Sequence, residues 1–183
     1  MSAGEAVNLP NSLTLLRILL VPVFVVLLLK GHFDQALGVL LLAGITDGLD
    51  GTIARFAKQQ TLLGAYLDPF ADKLLMTSGF LTLGALELVP RWVVALVVCR
   101  DVLLLSATIW AKCTGARCNI EPTVMGKAST LLQVCYLFAA VYLASRGADL
   151  QLLAPLLYAM LACNLLSGCH YLYRGLAAQF HRE

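Results

Sequence analysis
Gln35-Ala-Leu-Gly-Val-Leu-Leu-Leu-Ala-Gly-Ile-Thr-Asp47-Gly-Leu-Asp50-Gly-Thr-Ile-Ala54 decides the fold. The residues before Asp47 carry no charge, and the whole stretch is about the 20 residues that a helix needs to cross a ~30 Å hydrocarbon core. Similar runs lie on both sides of it, at Leu13–Leu29, Leu62–Leu88, Trp92–Lys112, Val124–Ala144 and Leu150–Tyr173. The expectation is an all-α, polytopic membrane protein with six transmembrane helices, forming a single domain over residues 1–183. Composition agrees: 60% of the 183 residues are hydrophobic and 13% are charged, with a mean hydropathy of +0.81. Soluble domains run nearer ~45–50% apolar and ~25% charged.

Punctuation between the runs supports the same reading. Pro10, Pro90 and Pro122 precede runs one, four and five, positions where a helix loses nothing by lacking an N–H. Pro10, Asn11 and Ser12 suggest a short N-terminal interfacial segment that caps the first span. No signal-peptide pattern precedes the first run, so it is expected to remain in place. Lys and Arg set the orientation. Arg55, Lys58, Lys112, Arg117, Lys127, Arg174 and Arg182 fall on one side, against Lys30, Arg91 and Arg146 on the other, which puts both termini in the cytosol.

A net charge of +2 with scattered basic residues gives no stripe for nucleic acid. The six cysteines form no CxxC pair and lie near no His cluster, so zinc is not expected, and most read as small fillers of helix packing. Gly38, Gly44 and Gly79 read as points of close helix approach.

Acids at membrane depth cost about 2.5–3.5 kcal/mol each on the insertion scale and mark function by default. Asp47 and Asp50 end the second span, while Asp68 and Asp72, in Gly64-Ala-Tyr-Leu-Asp68-Pro-Phe-Ala-Asp72, open the third. Spacings of three and four set each pair on one helix face, and a short connection brings the faces opposite each other. Four such carboxylates disfavour joint ionisation unless cations join them. An all-oxygen set suits the hard ions Mg²⁺ or Mn²⁺, which bind substrate phosphates as well. Gly48, Gly51, Ala54, Gly64 and Ala65 interleave the acids and let a phosphorylated ligand approach the backbone closely. A cation-coupled transporter is the alternative from another functional class, although its acids would be spread across the membrane depth.

As a pattern, Asp47 to Asp72 reads D-x2-D-G-x2-A-R-x8-G-x3-D-x3-D, with eight fixed positions over 26 residues. It resembles the signature of the CDP-alcohol phosphatidyltransferases. That resemblance implies transfer of phosphatidyl from CDP-diacylglycerol to an alcohol with release of CMP, by a homodimer using two divalent ions. It implies metal ligands at Asp47, Asp50, Asp68 and Asp72, with Asp72 also the base. Nucleotide contacts would come from Gly51, Thr52, Ala54, Arg55 and Gly64. Asn11, Thr14 and Arg17 resemble the start of the first span in the cardiolipin and phosphatidylglycerophosphate branch. Arg17, inside an apolar helix, needs an anionic partner, either a nucleotide phosphate or the acid cluster. The active site would face the cytosol in a bacterial inner membrane, or the matrix in a mitochondrial one.

The acceptor alcohol is less determined. A free glycerol phosphate is a dianion and favours several cationic donors, for which Arg100, Lys127 and Lys73 are the candidates. Arg100-Asp-Val-Leu-Leu, with Glu121-Pro-Thr-Val-Met-Gly-Lys127 after it, looks more like the cardiolipin synthases. Phosphatidylglycerophosphate synthases commonly show Arg-Glu there and a further Arg one to two turns on, where this chain has Ala107, Thr108 and Ile109. The expected acceptor is phosphatidylglycerol, with glycerol 3-phosphate as the alternative. Arg100 and Asp101 also admit a simpler reading, a buried ion pair that orients the helix.

Overall fold
Apolar runs bounded by proline and glycine become six helices in the computed structural model, which describes the backbone of residues 9–57, 64–113 and 124–180 and the side chains of 14–47, 70–106 and 125–168. They are α1 (Leu9–Leu29), α2 (Phe33–Ala57), α3 (Gly64–Ala85), α4 (Arg91–Cys113), α5 (Val124–Ser145) and α6 (Ala154–Phe180). There is no strand among the described residues.

Most helix limits lie within four residues of the expected ones. α1 starts at Leu9, so Pro10, Asn11 and Ser12 belong to its first turn instead of to a separate cap, and residues 1–8 lie outside the described residues. The sixth run opens with a 3-10 turn over Leu150–Leu153, whose preceding Asp149 accepts a hydrogen bond from the Gln151 amide at 2.9 Å. α6 then continues seven residues past Tyr173. Tight turns at Gly31 (φ 75°) and Gly147 (φ 60°) use the left-handed backbone that glycine adopts without strain.

By length and composition, two described stretches suffice to cross a membrane, Met125–Ser145 and Leu150–Gly168, and Thr14–Leu29 is apolar but shorter.

α1 packs on α2 and α3, α2 on α5, α5 on α6, and α4 bridges α3 and α6. The buried core joins all six helices, with Phe24 and Leu28 of α1 and Phe80 and Leu83 of α3 near its centre. Phe80 stacks on Tyr136 of α5, with ring centroids 6.1 Å apart.

Gly79 behaves as expected. A Cβ there would lie 2.9 Å from Leu137 Cδ2 and 3.1 Å from Phe24 Cε1, both fully buried side chains. Gly38 and Gly44 do not: both are exposed, and a Cβ at either meets nothing within 4 Å, because α2 turns those positions away from its neighbours. The filler role for cysteine is likewise corrected at Cys99 and Cys135, which are exposed on the outer helix surface. Gly79→Ala should overpack this junction by about 1–3 kcal/mol. Thermal unfolding in detergent should show a drop of several degrees for that variant, whereas Gly38→Ala should be neutral or slightly stabilising. Equal midpoints would contradict the packing described.

Candidate active site
Thr14 and Arg17 are three residues apart on α1, share one helix face, and are each 1% exposed. A guanidinium so deep in an apolar helix requires a counter-charge. Arg17 Nη1 meets Asp47 Oδ1 of α2 at 2.9 Å, so of the two partners expected for Arg17 the acid cluster supplies one. Asp47 remains 53% exposed while paired, so its carboxylate is also reachable from outside the bundle. Thr46, one residue earlier, turns its hydroxyl back to the Leu42 and Ala43 carbonyls at 2.9 Å.

Asp72 is partly buried on α3, and its carboxylate lies within electrostatic reach of Asp47, Arg17, Lys73 and Asp101. One carboxylate from each helix of the signature is therefore within electrostatic reach of the Arg17 guanidinium, and Asp47 is bonded to it. Asp50, Gly51, Thr52, Ala54 and Arg55 lie in the last two turns of α2, and Gly64 and Asp68 in the first turns of α3. Their side chains, like that of Asn11, lie outside the described residues. Among the described residues no three His, Cys, Asp or Glu side chains gather at one point. The donors that are described, Asp47 and Asp72, are hard oxygen ligands on two helices that both pack on α1, and they fit Mg²⁺ or Mn²⁺ in chemistry.

A second polar group extends from the first. Lys73, next to Asp72, donates to Asp101 Oδ2 at 3.2 Å, and Arg100 Nη1 donates to Asp101 Oδ1 at 2.8 Å. Arg100 Nη2 reaches Ser167 Oγ of α6 at 3.0 Å. Arg100 and Asp101 are thus the buried ion pair of the simpler reading, 7% and 2% exposed, with Lys73 added to it. Neighbouring Cβ atoms on a helix diverge, but the long Arg stem folds back far enough to close the pair. Lys127 is exposed near the start of α5.

Sequence reasoning missed Asp101 as a hub, and it missed Ser129, Gln133, Asn164 and Ser167. Ser129 Oγ and Gln133 Nε2 of α5 both donate to Asn164 Oδ1 of α6, at 3.0 and 3.3 Å. The available signal was polar residues at helical spacing in apolar runs: 129 and 133 on α5, 164 and 167 on α6.

The family model described as CDP-alcohol phosphatidyltransferase matches residues 7–167. A Rattus norvegicus protein named cardiolipin synthase (CMP-forming) is 35% identical over 150 residues, covering 73% of this chain and 50% of that protein. A Bacillus subtilis CDP-diacylglycerol–glycerol-3-phosphate 3-phosphatidyltransferase is 32% identical over 142 residues, covering 69% of this chain and 72% of that protein. A probable phosphatidylglycerophosphate synthase from Mycobacterium tuberculosis is 37% identical over 139 residues, covering 72% and 65%. The chain spans about half the length of the rat, fly and human relatives that it matches.

Proposed function
The chain belongs to the CDP-alcohol phosphatidyltransferase family, and on that premise we propose that it transfers phosphatidyl from CDP-diacylglycerol to phosphatidylglycerol, forming cardiolipin and releasing CMP. The observation that carries the choice of acceptor is Asp101. It is shared by Lys73 and Arg100, so two cations and one carboxylate leave one net positive charge beside Asp72. One charge suits the single phosphodiester anion of phosphatidylglycerol, whereas a glycerol 3-phosphate dianion favours at least two. Glycerol 3-phosphate remains the second reading. It is supported by the named activity of the Bacillus subtilis relative and by Lys127, an exposed cation near the start of α5.

In this reading Asp47, Asp50, Asp68 and Asp72 hold two divalent ions, a cofactor class that the family uses. When bound, the ions neutralise charge on the pyrophosphate and on departing CMP. Arg17 fixes the Asp47 carboxylate. Gly51, Ala54 and Gly64 leave room for the nucleotide, Thr52 hydrogen-bonds it, and Arg55 meets a phosphate. Asn11 and Thr14 lie on the Arg17 face of α1 toward the same ligand. Asp72 accepts the proton of the acceptor hydroxyl as that oxygen attacks the phosphorus bearing diacylglycerol, and the bond to the CMP oxygen breaks.

All six helices span the membrane in this reading, with the acid-bearing ends in the cytosol or matrix and residues 1–183 forming one domain. Large aliphatic side chains support it: Leu19, Ile45, Leu81, Leu103, Leu131 and Leu165, one on each helix, are more than half exposed. A surface so apolar favours lipid over water. The working unit would be a homodimer.

Purified protein given CDP-diacylglycerol and Mg²⁺, with phosphatidylglycerol or glycerol 3-phosphate in parallel, should release CMP faster with phosphatidylglycerol. EDTA should stop the release, and Mg²⁺ or Mn²⁺ should restore it. Efficient use of glycerol 3-phosphate alone would overturn the acceptor, and EDTA-insensitive solute flux without CMP would overturn the reaction class.

A further inference from the structure
Three buried polar atoms have no hydrogen-bond partner among the described residues: Arg100 Nε, Gln133 Oε1 and Asn164 Nδ2. Their side chains are 7%, 1% and 4% exposed and come from α4, α5 and α6. An unsatisfied polar atom in such a position costs about 1–3 kcal/mol, and three together are not expected of a cluster that serves packing alone.

These atoms belong to two hydrogen-bonded groups that meet on one turn of α6. Gln133 and Asn164 touch directly, at 3.3 Å. Asn164 and Ser167 lie one turn apart on α6, with Cβ atoms about 5–6 Å from each other, and Ser167 is hydrogen-bonded to Arg100. Arg100 reaches Lys73, the neighbour of Asp72, through Asp101. Depth also matches: Asp72 lies eight residues into α3 and Gln133 nine into α5, or about 12 and 14 Å from helix ends that share one side in the six-span reading.

The atoms on offer are N–H donors on Arg100 and Asn164 and a carbonyl acceptor on Gln133. Asp101 bonds Arg100 more closely than Lys73, at 2.8 against 3.2 Å, so the excess positive charge sits toward Lys73 and the three open atoms do not call for an anion. A hydroxyl, which accepts and donates at once, satisfies both kinds of atom.

We propose that Arg100, Gln133 and Asn164 bind the non-reacting secondary hydroxyl of the acceptor's glycerol unit, so that the terminal hydroxyl is directed to Asp72. The inference deepens the phosphatidyltransferase reading and rests on it. Phosphatidylglycerol and glycerol 3-phosphate both carry that secondary hydroxyl beside the reacting one, so the site recognises chemistry that they share. It makes Gln133 and Asn164 specificity residues that the signature motif does not contain.

The test compares each acceptor with its analogue lacking only the secondary hydroxyl: phosphatidylglycerol against phosphatidyl-1,3-propanediol, and glycerol 3-phosphate against 3-hydroxypropyl phosphate. With wild-type protein, kcat/KM for the better acceptor should exceed that for its analogue roughly ten- to a hundredfold, the factor expected when buried polar atoms lose their partner. The pair showing the larger preference identifies the natural source of the hydroxyl. In Gln133→Met, and separately in Asn164→Leu, intact acceptor and analogue should become equal at the lower value, while the KM for CDP-diacylglycerol stays within about threefold. A merely structural cluster would alter the melting temperature and leave the preference intact, which would overturn the proposal. So would equal use of acceptor and analogue by the wild type. If no acceptor yields CMP, the enzymatic reading fails, and melting temperatures then decide the site on their own. Stabilisation of the wild type by dioctanoyl phosphatidylglycerol beyond that by its 1,3-propanediol analogue supports the site, and equal stabilisation overturns it.

Discussion

Asp72→Asn is expected to lower turnover by about 10²–10⁴-fold, the range for loss of a positioned general base, with CDP-diacylglycerol affinity changed by no more than about threefold. The carboxylate is partly buried on α3 beside Lys73, which is bonded to Asp101. Asp47 is differently employed, because its Oδ1 is bonded to Arg17 and the pair links α1 to α2. An amide at residue 72 keeps the size and polarity of the carboxyl but cannot take up the proton. Asp50→Asn and Asp68→Asn should behave otherwise, losing nucleotide and metal binding along with turnover, since each removes a charged ligand. Steady-state CMP release and equilibrium binding of CDP-diacylglycerol, measured on the same preparations, separate the two patterns. Parallel loss of nucleotide binding in Asp72→Asn would make metal holding its main task and leave the base unassigned.

The difference between what was legible in the chain and what was not follows from range. Helix identity is a local property, fixed by apolar length and by the prolines and glycines at its limits, and six helices appear where six runs stand. The nearness of Asp47 to Asp72 was expected from the motif, but its route was not: among the described residues α2 and α3 each pack on α1 rather than on each other, so the short connection alone does not settle which faces meet. Arg17 could be read only as needing an anion, because its choice of Asp47 depends on how α1 docks against α2. Arg100 and Asp101 show the limit of a spacing rule. The rule describes where Cβ atoms point, while a flexible side chain several bonds long can turn back to its neighbour. Gln133 and Asn164 are 31 positions apart, and nothing local announces that their amides meet. Gly38 and Gly79 are alike in sequence terms, yet only Gly79 faces another helix.

Asp47→Asn should impair the protein in two ways that a second substitution separates. With the carboxylate removed, a guanidinium that is 1% exposed loses the counter-charge described for it on α2. Stranding a buried partner costs about 3 kcal/mol at the low end of measured cases, which for a chain of this size corresponds to a midpoint lowered by roughly 6–12 °C. CMP release should also fall by more than about 10²-fold, because a charged ligand has gone from the pyrophosphate site. Adding Arg17→Met removes the stranded charge and fills its channel with an unbranched apolar side chain. The double variant should therefore regain most of the lost thermal stability, since removing a buried charge together with its partner is often neutral while stranding that charge is not. Activity should not return with the stability, because in the proposed function the carboxylate also holds metal, which methionine does nothing to restore. Recovery of both in the double variant would reduce the Arg17–Asp47 pair to a structural clasp and move the metal site to the other acids. Recovery of neither would mean that Arg17 stabilises the bundle through more than Asp47, and Arg17→Met alone would then be destabilised to the same extent.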